Sequence, residues 1–355
     1  MLPTSFPYSY YVPEFPGADS GILYELEPID KGEKNCVVLI PYGNPSKGET
    51  KINYYRIIGQ HACDLKTYPL SAPKERLHMQ ALTSHAEYLN RIAELKQHIQ
   101  LGNIYELNYC TKFVCKVASF DPVDTFIKLN RKAKAPYACL LKLQDDYILC
   151  ASPELFLRKE GPHLLSKPIK GTAARSEDPQ TDQLLAMELQ HSEKERTEHV
   201  MAVDVARNDL SVIASKGSVN VDPLYGIESF ETVHQMVSTV TCELPETTSF
   251  EDIIGATFPM ASMTGAPKRG AMDLIDDVEQ FSRGWYSGAL GNIDENGDFQ
   301  LCVLIRSIFY KGDRKELSFA VGGAITFMSE AEKEYAECML KAENMLKVLN
   351  ADILN

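Results

Sequence analysis

The chain has 355 residues, 44% hydrophobic and 24% charged, which is long enough for one large domain or two smaller ones. Its formal net charge of −13 argues against a nucleic-acid partner or an anionic membrane surface, because both would be repelled. No run approaches the roughly 18 apolar residues of a membrane span, and the N-terminus lacks a signal-peptide pattern, so we expect a soluble, cytoplasmic protein.

The nine cysteines are scattered without a CxxC pair, which argues against a zinc site. Several lie in apolar, strand-like runs such as YACLLKL and LCVLIRS, so we expect buried, reduced thiols. An acidic protein that binds a small anion must supply local positive charge. Lysine, arginine, a helix N-terminus or a metal ion can provide it.

The first 70 residues contain apolar runs, NCVVLI and NYYRIIG, punctuated by proline and glycine, which predicts short strands. Over residues 74–100 apolar side chains recur at helical spacing, which predicts one long amphipathic helix that stops at Gly102. A run of strands is predicted next, from IYELNYCTKFVCKV to HLLSKPI, interrupted by one helix at about 121–134.

The charged segment 178–207 predicts one or two helices, and SVNVDP and TVHQMVSTVTCEL predict strands. Helices are expected near 249–257 and 267–280, followed by a hairpin that turns at ENGD and includes LCVLIRS as a strand. The strand KELSFAVGGAITF ends in a glycine pair, and a helix over 329–349 closes the chain. Many strands with outlying helices predict an α+β architecture.

Two carboxylate pairs share one spacing: Glu195 with Glu198, and Glu334 with Glu337. Residues three apart lie on one face of a helix, so each pair directs two carboxylates to one point. Two such helices facing each other would make a hard-oxygen site suited to Mg²⁺. Either pair alone is also typical of a solvated acidic helix face, and the spacing leaves both interpretations open.

Three glycine- or proline-bounded turns carry hydroxyl and cationic groups: KPIKGT, SMTGAPKRG and FAVGGAIT. Exposed backbone N–H groups in such turns bind carboxylate or phosphate oxygens, although ordinary turn chemistry is the better explanation for any one of them taken alone. SMTGAPK lacks the spacing of a P-loop, so we do not predict nucleotide binding.

Isolated charges stand in apolar surroundings at Arg306 and Glu154. A buried arginine needs an anionic partner, which is either structural or a substrate carboxylate. Glu154 follows a proline at a strand break and is either a structural cap or a proton donor. We expect His199 and His234 to be structural histidines rather than ligands.

The motifs, taken in order, resemble the chorismate-utilising enzymes, a family that includes anthranilate, aminodeoxychorismate, isochorismate and salicylate synthases. The resemblance runs from about residue 102 to the C-terminal helix and rests on SPELF, KPIKGTAAR, SEKERTEHVMAVDVARNDL, TVHQMVSTV, TFPMASMTGAPKRGAMDLID, RGWYSGALG, LIRS and VGGAIT. It implies one large α+β domain with two packed antiparallel β-sheets flanked by helices. Residues 1–70 would be a short β-rich segment integrated with a chorismate-binding catalytic domain over 71–355.

The resemblance also implies roles for individual residues. The four glutamates would hold Mg²⁺, which bridges to the ring carboxylate of chorismate, and Glu154 would protonate the departing C4 hydroxyl. Arg306 would hold the pyruvyl carboxylate. The other residues implied in the pocket are Thr172, Thr264, Gly265, Lys268 and the Gly322–Gly323–Ala324 turn.

Lys170 places the chain nearest the aminodeoxychorismate synthases, which have PIKGT where anthranilate synthases resemble PIAGT. The resemblance implies that the Lys170 amine attacks C2 of chorismate before ammonia enters at C4, giving 4-amino-4-deoxychorismate for folate synthesis. Attack needs a neutral amine, so we expect Lys170 to be partly desolvated or near a second cation such as Lys167. Anthranilate synthase component I is the alternative function, and an isochorismate or salicylate synthase ranks below it.

Three positions depart from the family pattern and leave the roles of their residues open. Glu106 stands where ammonia-using members usually carry glutamine and water-adding members a lysine base. Gln235 replaces a histidine associated with pyruvate elimination, and Asn292 replaces a tyrosine near the pyruvyl end. The short N-terminal part lacks the element that binds tryptophan in anthranilate synthases. The chain has no glutamine amidotransferase segment, so a separate amidotransferase subunit would supply ammonia.

Overall fold

Short strands alternate with outlying helices along the whole chain. A computed structural model describes residues 1–32, 34–71, 75–231 and 233–354, which contain 21 strands and seven α-helices. The strands are β1 (Tyr8–Pro13), β2 (Ser20–Ile29), β3 (Cys36–Ile40), β4 (Asn53–Asp64), β5 (Leu77–Ala81), β6 (Glu106–Lys116), β7 (Tyr137–Leu143), β8 (Asp146–Ser152), β9 (Leu155–Glu160), β10 (His163–Ser166), β11 (Ile169–Ala174), β12 (Asn220–Val221), β13 (Gly226–Ser229), β14 (Val233–Val237), β15 (Val240–Glu243), β16 (Gly265–Ala266), β17 (Ala289–Ile293), β18 (Phe299–Val303), β19 (Ile308–Lys311), β20 (Glu316–Ile325) and β21 (Ala351–Leu354). The helices are α1 (His85–Gln100), α2 (Pro122–Ala133), α3 (Pro179–His191), α4 (Glu193–Ser211), α5 (Phe250–Thr257), α6 (Lys268–Val278) and α7 (Ala331–Leu349).

The sheets confirm the predicted α+β class. Of the described strands, 18 belong to one hydrogen-bonded network, while β11, β13 and β14 form a separate three-stranded sheet. Among these strands only β5 and β21 pair in parallel, and the other pairings are antiparallel. The N-terminal strands belong to the large network, since β1 pairs with β7 and β3 pairs with β17.

The pair β6–β20 forms the wall between two hydrophobic cores. It runs antiparallel over ten residues, from Glu316 opposite Lys116 to Ile325 opposite Leu107. Phe113 and Phe319 stack on each other in one core, whereas Cys110 belongs to the other. Successive side chains of a strand point to opposite faces, so this pair contributes to both cores at once.

The first helix starts later than predicted. The predicted start at residue 74 lies outside the described residues, and Leu77–Ala81 is a strand that pairs with β21 and β6. Helix α1 begins after Ser84, whose side chain accepts from the backbone N–H of Glu87 while the Glu87 carboxylate caps Ser84 in return. Such a capping box satisfies two otherwise free donors and fixes where the helix begins.

The acidic segment 178–207 forms two helices, α3 and α4, divided at Ser192. The side chain of Ser192 accepts from the backbone N–H of Glu195 and so caps the second helix. The helices predicted near 121–134, 249–257, 267–280 and 329–349 are confirmed as α2, α5, α6 and α7. The predicted strand start at residue 232 lies outside the described residues.

All nine cysteines are free thiols, and eight of them are buried, as the sequence predicted. Across the described ranges, none of the helices is both long enough and apolar enough to cross a membrane.

Candidate active site

Lys170 lies in a β-bulge rather than in the turn that the sequence predicted. In β11 Ile169 pairs with Val237 and Thr172 pairs with Gln235, so β11 carries one residue more than β14 between these pairs. Gly171 supplies the left-handed backbone of the bulge, with φ of 85°. A bulge redirects the side chain beside it, and here it directs Lys170 toward β6.

The Lys170 amine binds the carboxylate of Glu106 on β6. The Nζ–Oε1 distance is 2.6 Å, and the side chains are 13% and 4% exposed. Burial lowers the pKa of Lys170, but Glu106, with Glu198 and Glu154 nearby, raises it more, so the net pKa lies above the ordinary value. Lys170 is therefore partly desolvated as expected, but it is protonated and faces carboxylates.

The second cation expected beside Lys170 is engaged elsewhere. Lys167 donates to Glu228 at 2.7 Å, and both side chains are partly exposed. The expectation that a neighbouring cation depresses the lysine pKa is therefore wrong for this structure.

Glu154 is the buried acid of the site. It lies between β8 and β9, and burial raises its pKa to about 7 against the opposing effects of Ser262, Lys170 and Arg306. Ser262 donates its hydroxyl to Oε1 of Glu154. A carboxyl group with this pKa is half protonated near neutral pH and is suited to donate a proton.

Arg306 lies in an interruption between β18 and β19, not within a continuous strand as predicted. Its backbone is left-handed, with φ of 52°, a conformation that costs a non-glycine residue about 1–3 kcal/mol. Burial lowers its pKa, against the opposing effects of Tyr286, Glu337 and Glu154. Among the residues described, no carboxylate lies within ion-pairing distance of the guanidinium, which leaves it free for an anion.

Helix α4 brings the first carboxylate pair to the site. Burial, with smaller contributions from Glu195 and Glu106, raises the pKa of Glu198 to about 7 against the lowering effects of Lys170 and Lys194. A carboxylate oxygen of Glu195 lies 2.9 Å from the position that a Cβ on Gly171 would take. This pair therefore faces the lysine bulge and is not a solvated acidic surface.

Helix α7 brings the second pair and a lysine that the sequence analysis did not single out. Burial and Glu337 raise the pKa of Glu334. Burial also acts to raise the pKa of Glu337, but Lys341, with Lys194 and Lys170, holds it below its ordinary value. Lys341 donates to Glu337 at 2.7 Å and to the carbonyl oxygen of Gly322 at 2.8 Å. The sequence does carry a signal for Lys341: it lies four residues after Glu337, and a lysine and a glutamate at this spacing can pair on one helix.

The four carboxylates suit Mg²⁺ in their chemistry, since all are hard oxygen donors. Burial is the largest cause of the raised pKa values of Glu198 and Glu334, and a divalent cation would offset this cost by favouring their charged forms. Within the described ranges, however, no three potential ligand side chains are close enough together to hold a metal ion. Two lysines pair with these acids: Lys194 lies 4.0 Å from Glu198, and Lys341 binds Glu337.

The glycines of FAVGGAIT lie in strand β20 and do not form the predicted turn. Gly322, Gly323 and Ala324 pair with Cys110, Tyr109 and Asn108 of β6. The strand continues past the glycines because β6 supplies hydrogen-bonding partners along its whole length. A Cβ on Gly323 would lie 3.6 Å from Oε2 of Glu334, so this glycine borders the carboxylate pair.

The segment SMTGAPK packs tightly against β6. A Cβ on Gly265 would lie 2.1 Å from the carbonyl oxygen of Glu106, so only glycine fits there. Thr264 is fully buried and donates its hydroxyl to the carbonyl oxygen of Met260. Lys268 binds Asp209 at 2.8 Å and the Thr257 carbonyl at 2.7 Å, which joins α6 to α4 and α5. Its substrate contact stays a prediction.

The remaining predicted residues differ in their surroundings. Thr172 is exposed on β11 opposite Gln235, whose side-chain oxygen is buried without a hydrogen-bond partner. His234 has both ring nitrogens bound, to Asp182 and to Ser229, as expected of a structural histidine. Asn292 lies on β17 and lines a different cavity of about 160 Å³ beside the N-terminal strands.

A buried ion pair holds the site's backbone in place and was missed by the sequence analysis. Arg283 binds Glu279 at 2.6 Å, and both side chains are 1% exposed. Arg283 also donates to the carbonyls of Met263 and Asn108, while Glu279 accepts from the backbone N–H of Cys110. The pair therefore ties the SMTG segment to β6. Its signal was the arginine of RGWYSGALG, which was noted only as part of a motif.

Comparison with known proteins shows which family the chain matches and which relatives it resembles. Residues 29–347 match the chorismate binding enzyme family. Aminodeoxychorismate synthase component 1 of Salmonella typhimurium is 33% identical over 327 residues, 92% of this chain and 69% of the relative. The chloroplastic aminodeoxychorismate synthase of Arabidopsis thaliana is 39% identical over 261 residues, 73% of this chain and 28% of the relative. The chain thus spans less than a third of that plant protein.

The fold also matches a solved structure. Anthranilate synthase component I from Streptococcus pneumoniae superimposes with a TM-score of 0.75, covering 95% of this chain and 89% of that one, at 21% identity. At this identity the likeness concerns the fold alone. The family match covers most of the chain and agrees with the relatives. The chain therefore belongs to the chorismate binding enzyme family.

Proposed function

We propose that this chain is an aminodeoxychorismate synthase component that converts chorismate and ammonia to 4-amino-4-deoxychorismate, in 4-aminobenzoate and folate synthesis. One observation carries the proposal: the Lys170 amine is held 2.6 Å from Glu106, within electrostatic reach of the buried acid Glu154. A lysine in this place gives the site a nucleophile that a purely acid–base site would lack. The names of the Salmonella and Arabidopsis relatives support the same activity.

The protein is acidic as a whole, so positively charged groups must anchor the dianionic substrate. Arg306, which has no carboxylate partner at ion-pairing distance among the described residues, would receive the pyruvyl carboxylate. Glu195, Glu198, Glu334 and Glu337, which in the described ranges are not grouped closely enough to hold an ion, would have to draw together to hold Mg²⁺, which when bound would neutralise the ring carboxylate. Gly323, beside Glu334, leaves room for that carboxylate because it has no side chain.

The chemistry divides between a nucleophile and an acid. The Lys170 amine attacks C2 while Glu154 gives its proton to the C4 hydroxyl, which leaves as water. Ammonia then adds at C4, and the bond between C2 and the lysine nitrogen breaks. Glu154 suits this task because its pKa of about 7 keeps a large protonated fraction at neutral pH.

The ammonia would come from a glutamine amidotransferase subunit. The "component 1" in the name of the Salmonella relative fits an enzyme of more than one subunit. Free ammonium salts would then replace the partner in vitro.

An assay of products tests the proposal. The purified chain is incubated with chorismate, Mg²⁺ and ammonium, then with an aminodeoxychorismate lyase, and 4-aminobenzoate is measured. We expect 4-aminobenzoate only when ammonium and lyase are both present. Anthranilate formed without the lyase, or isochorismate formed without ammonium, would refute the assignment.

A further inference from the structure

The Lys170–Glu106 pair is buried and rigidly placed on both sides. Glu106 begins β6, where its backbone pairs with Ala266 of β16 and its carbonyl contacts Gly265. Lys170 is fixed by the bulge of β11. Neither backbone can move away easily, so the contact between the amine and the carboxylate is a built feature of the site.

The proposed reaction requires a proton to leave Lys170. An ammonium group has no lone pair, and the raised pKa of Lys170 means that the resting amine carries a proton. Glu154 must itself be protonated to act as the acid. His199 of α4, behind the lysine backbone, is a poor acceptor because burial lowers its pKa to about 4. Glu198 and Glu337 act on Lys170 only through their charge.

We propose that Glu106 accepts the Lys170 proton across the 2.6 Å hydrogen bond and holds it while the lysine is bonded to substrate. This inference rests on the proposed function. The N–H bond of Lys170 breaks and an O–H bond forms on Glu106, leaving a neutral amine and a neutral carboxyl group. When ammonia displaces the lysine from C2, the amine leaves neutral and regains the proton from Glu106. The pair therefore ends each cycle as it began, with no oxidant or reductant.

Burial favours this transfer. Removing two charges from a site with 4% and 13% exposure avoids the cost of keeping both ions away from water. A glutamine at residue 106 could accept a hydrogen bond from Lys170 but could not take its proton. Lysine would then have to release its proton to solvent, and its reactivity would depend on pH.

The test compares Glu106→Gln with the wild-type chain. Consumption of chorismate is followed in single turnovers with Mg²⁺ and saturating ammonium, between about pH 6.5 and pH 8.5. Titration of Glu154, Glu337 and ammonia affects both proteins and cancels in the ratio of their rates. Glu106 raises the pKa of Glu198, so its loss lets Glu198 ionise at lower pH in the variant, and the slope is therefore read above about pH 7, where Glu198 is mostly ionised in both proteins. We expect the ratio of variant to wild type to rise with pH, by up to about tenfold per unit, and to level off at the pKa of Lys170 in the variant, which burial lowers once Glu106 is gone.

Two further variants complete the design. Glu106→Asp retains a carboxylate, so its ratio to wild type should stay constant with pH, and a rising ratio would overturn the proposal. Glu228→Gln removes the partner of Lys167 in a matched ion pair outside the site, and we expect no change in its ratio.

The outcomes separate the two proposals. A wild-type chain that makes no aminodeoxychorismate contradicts the proposed function. A wild-type chain that makes it, with a Glu106→Gln ratio that does not change with pH, contradicts the role of Glu106 alone.

Discussion

Lys170 and Lys167 lie three residues apart, and each binds one glutamate, yet their surroundings differ. Lys170 is buried beside Glu106 and near Glu154, whereas Lys167 is 31% exposed and pairs with Glu228. Only the first lies where the proposed reaction needs a nucleophile.

Replacing Lys170 by alanine should therefore abolish the covalent route. We expect Lys170→Ala to reduce formation of aminodeoxychorismate by about 10²-fold or more, because ammonia must then displace the hydroxyl directly. Chorismate binding, measured by the rise in melting temperature, should be largely retained. Lys167→Ala is the matched control and should keep the wild-type rate. A Lys170→Ala chain with the same rate as this control would exclude the nucleophile.

The raised pKa of Glu154 predicts how the activity changes with pH. The acid is active only when protonated, so activity that depends on it should fall as pH rises through about 7. Glu154→Gln should lose this falling limb together with about 10²-fold or more of the rate, as measured by kcat between pH 5.5 and pH 8.5.

Ser262 offers a check on that assignment. Its hydrogen bond lowers the pKa of Glu154, so Ser262→Ala should move the falling limb to higher pH. A limb that stays in place in both variants would belong to another group.

At the scale of elements, the bulge in β11 decides where Lys170 points. Gly171 has φ of 85°, and a Cβ there would meet Oε2 of Glu195 at 2.9 Å and Leu189 at 3.2 Å. Gly161, between β9 and β10, is also left-handed with φ of 58°, but a Cβ there would contact nothing within 4 Å. An alanine would therefore incur the same backbone penalty at both positions, but only at residue 171 would its methyl group meet neighbouring atoms.

Alanine at each position separates these effects. Both Gly161→Ala and Gly171→Ala should lower the free energy of unfolding by about 1–2 kcal/mol, as measured by urea denaturation. Only Gly171→Ala should also reduce kcat, because the new methyl group displaces Glu195 or the bulge. Equal kcat values in the two variants would mean that the bulge does not set the position of Lys170.

The sequence predicted local features better than features that depend on distant partners. Helices α2 and α5 to α7 were predicted because their apolar periodicity is contained within each segment. Strand β5 was taken for helix because Leu77 and Ala81 also fit helical spacing, while its partner β21 lies at the other end of the chain. The glycines of β20 resembled a turn for the same reason, since β6 is remote in sequence.

The candidate site shows the same limit. The paired glutamates and Lys170 carry local signals, and the structure brings Glu198 and Glu337 within electrostatic reach of the lysine. The Glu106 contact had no such signal, because only the folded sheets bring β6 beside β11. The left-handed backbone of Arg306 was likewise invisible in an apolar run that looks like one strand.

At the scale of the whole molecule, the proposed metal site depends on two helices from distant parts of the chain. Helix α4 supplies Glu195 and Glu198, and α7 supplies Glu334 and Glu337. Mg²⁺ and chorismate should therefore stabilise the protein together more than either does alone, because the ion and the substrate carboxylate neutralise each other in the folded state.

Glu334→Gln tests this coupling. We expect the Mg²⁺ concentration that gives half of the chorismate-dependent rise in melting temperature to increase by about tenfold or more. Glu332→Gln, on the exposed face of the same helix, should match the wild-type titration. An unchanged titration for Glu334→Gln would remove this glutamate from the metal site.

The wall between the two cores has a consequence for the protein as it is being synthesised. Strand β6 finds its long partner β20 only after roughly 200 further residues have been made, which takes about 10–40 s at ordinary rates of translation. During that time one backbone edge of β6 lacks its final partner, and strand edges of this kind promote pairing between chains. The nascent chain is therefore most exposed to aggregation between the appearance of β6 and that of β20, and chaperone binding in that interval should matter most for its yield.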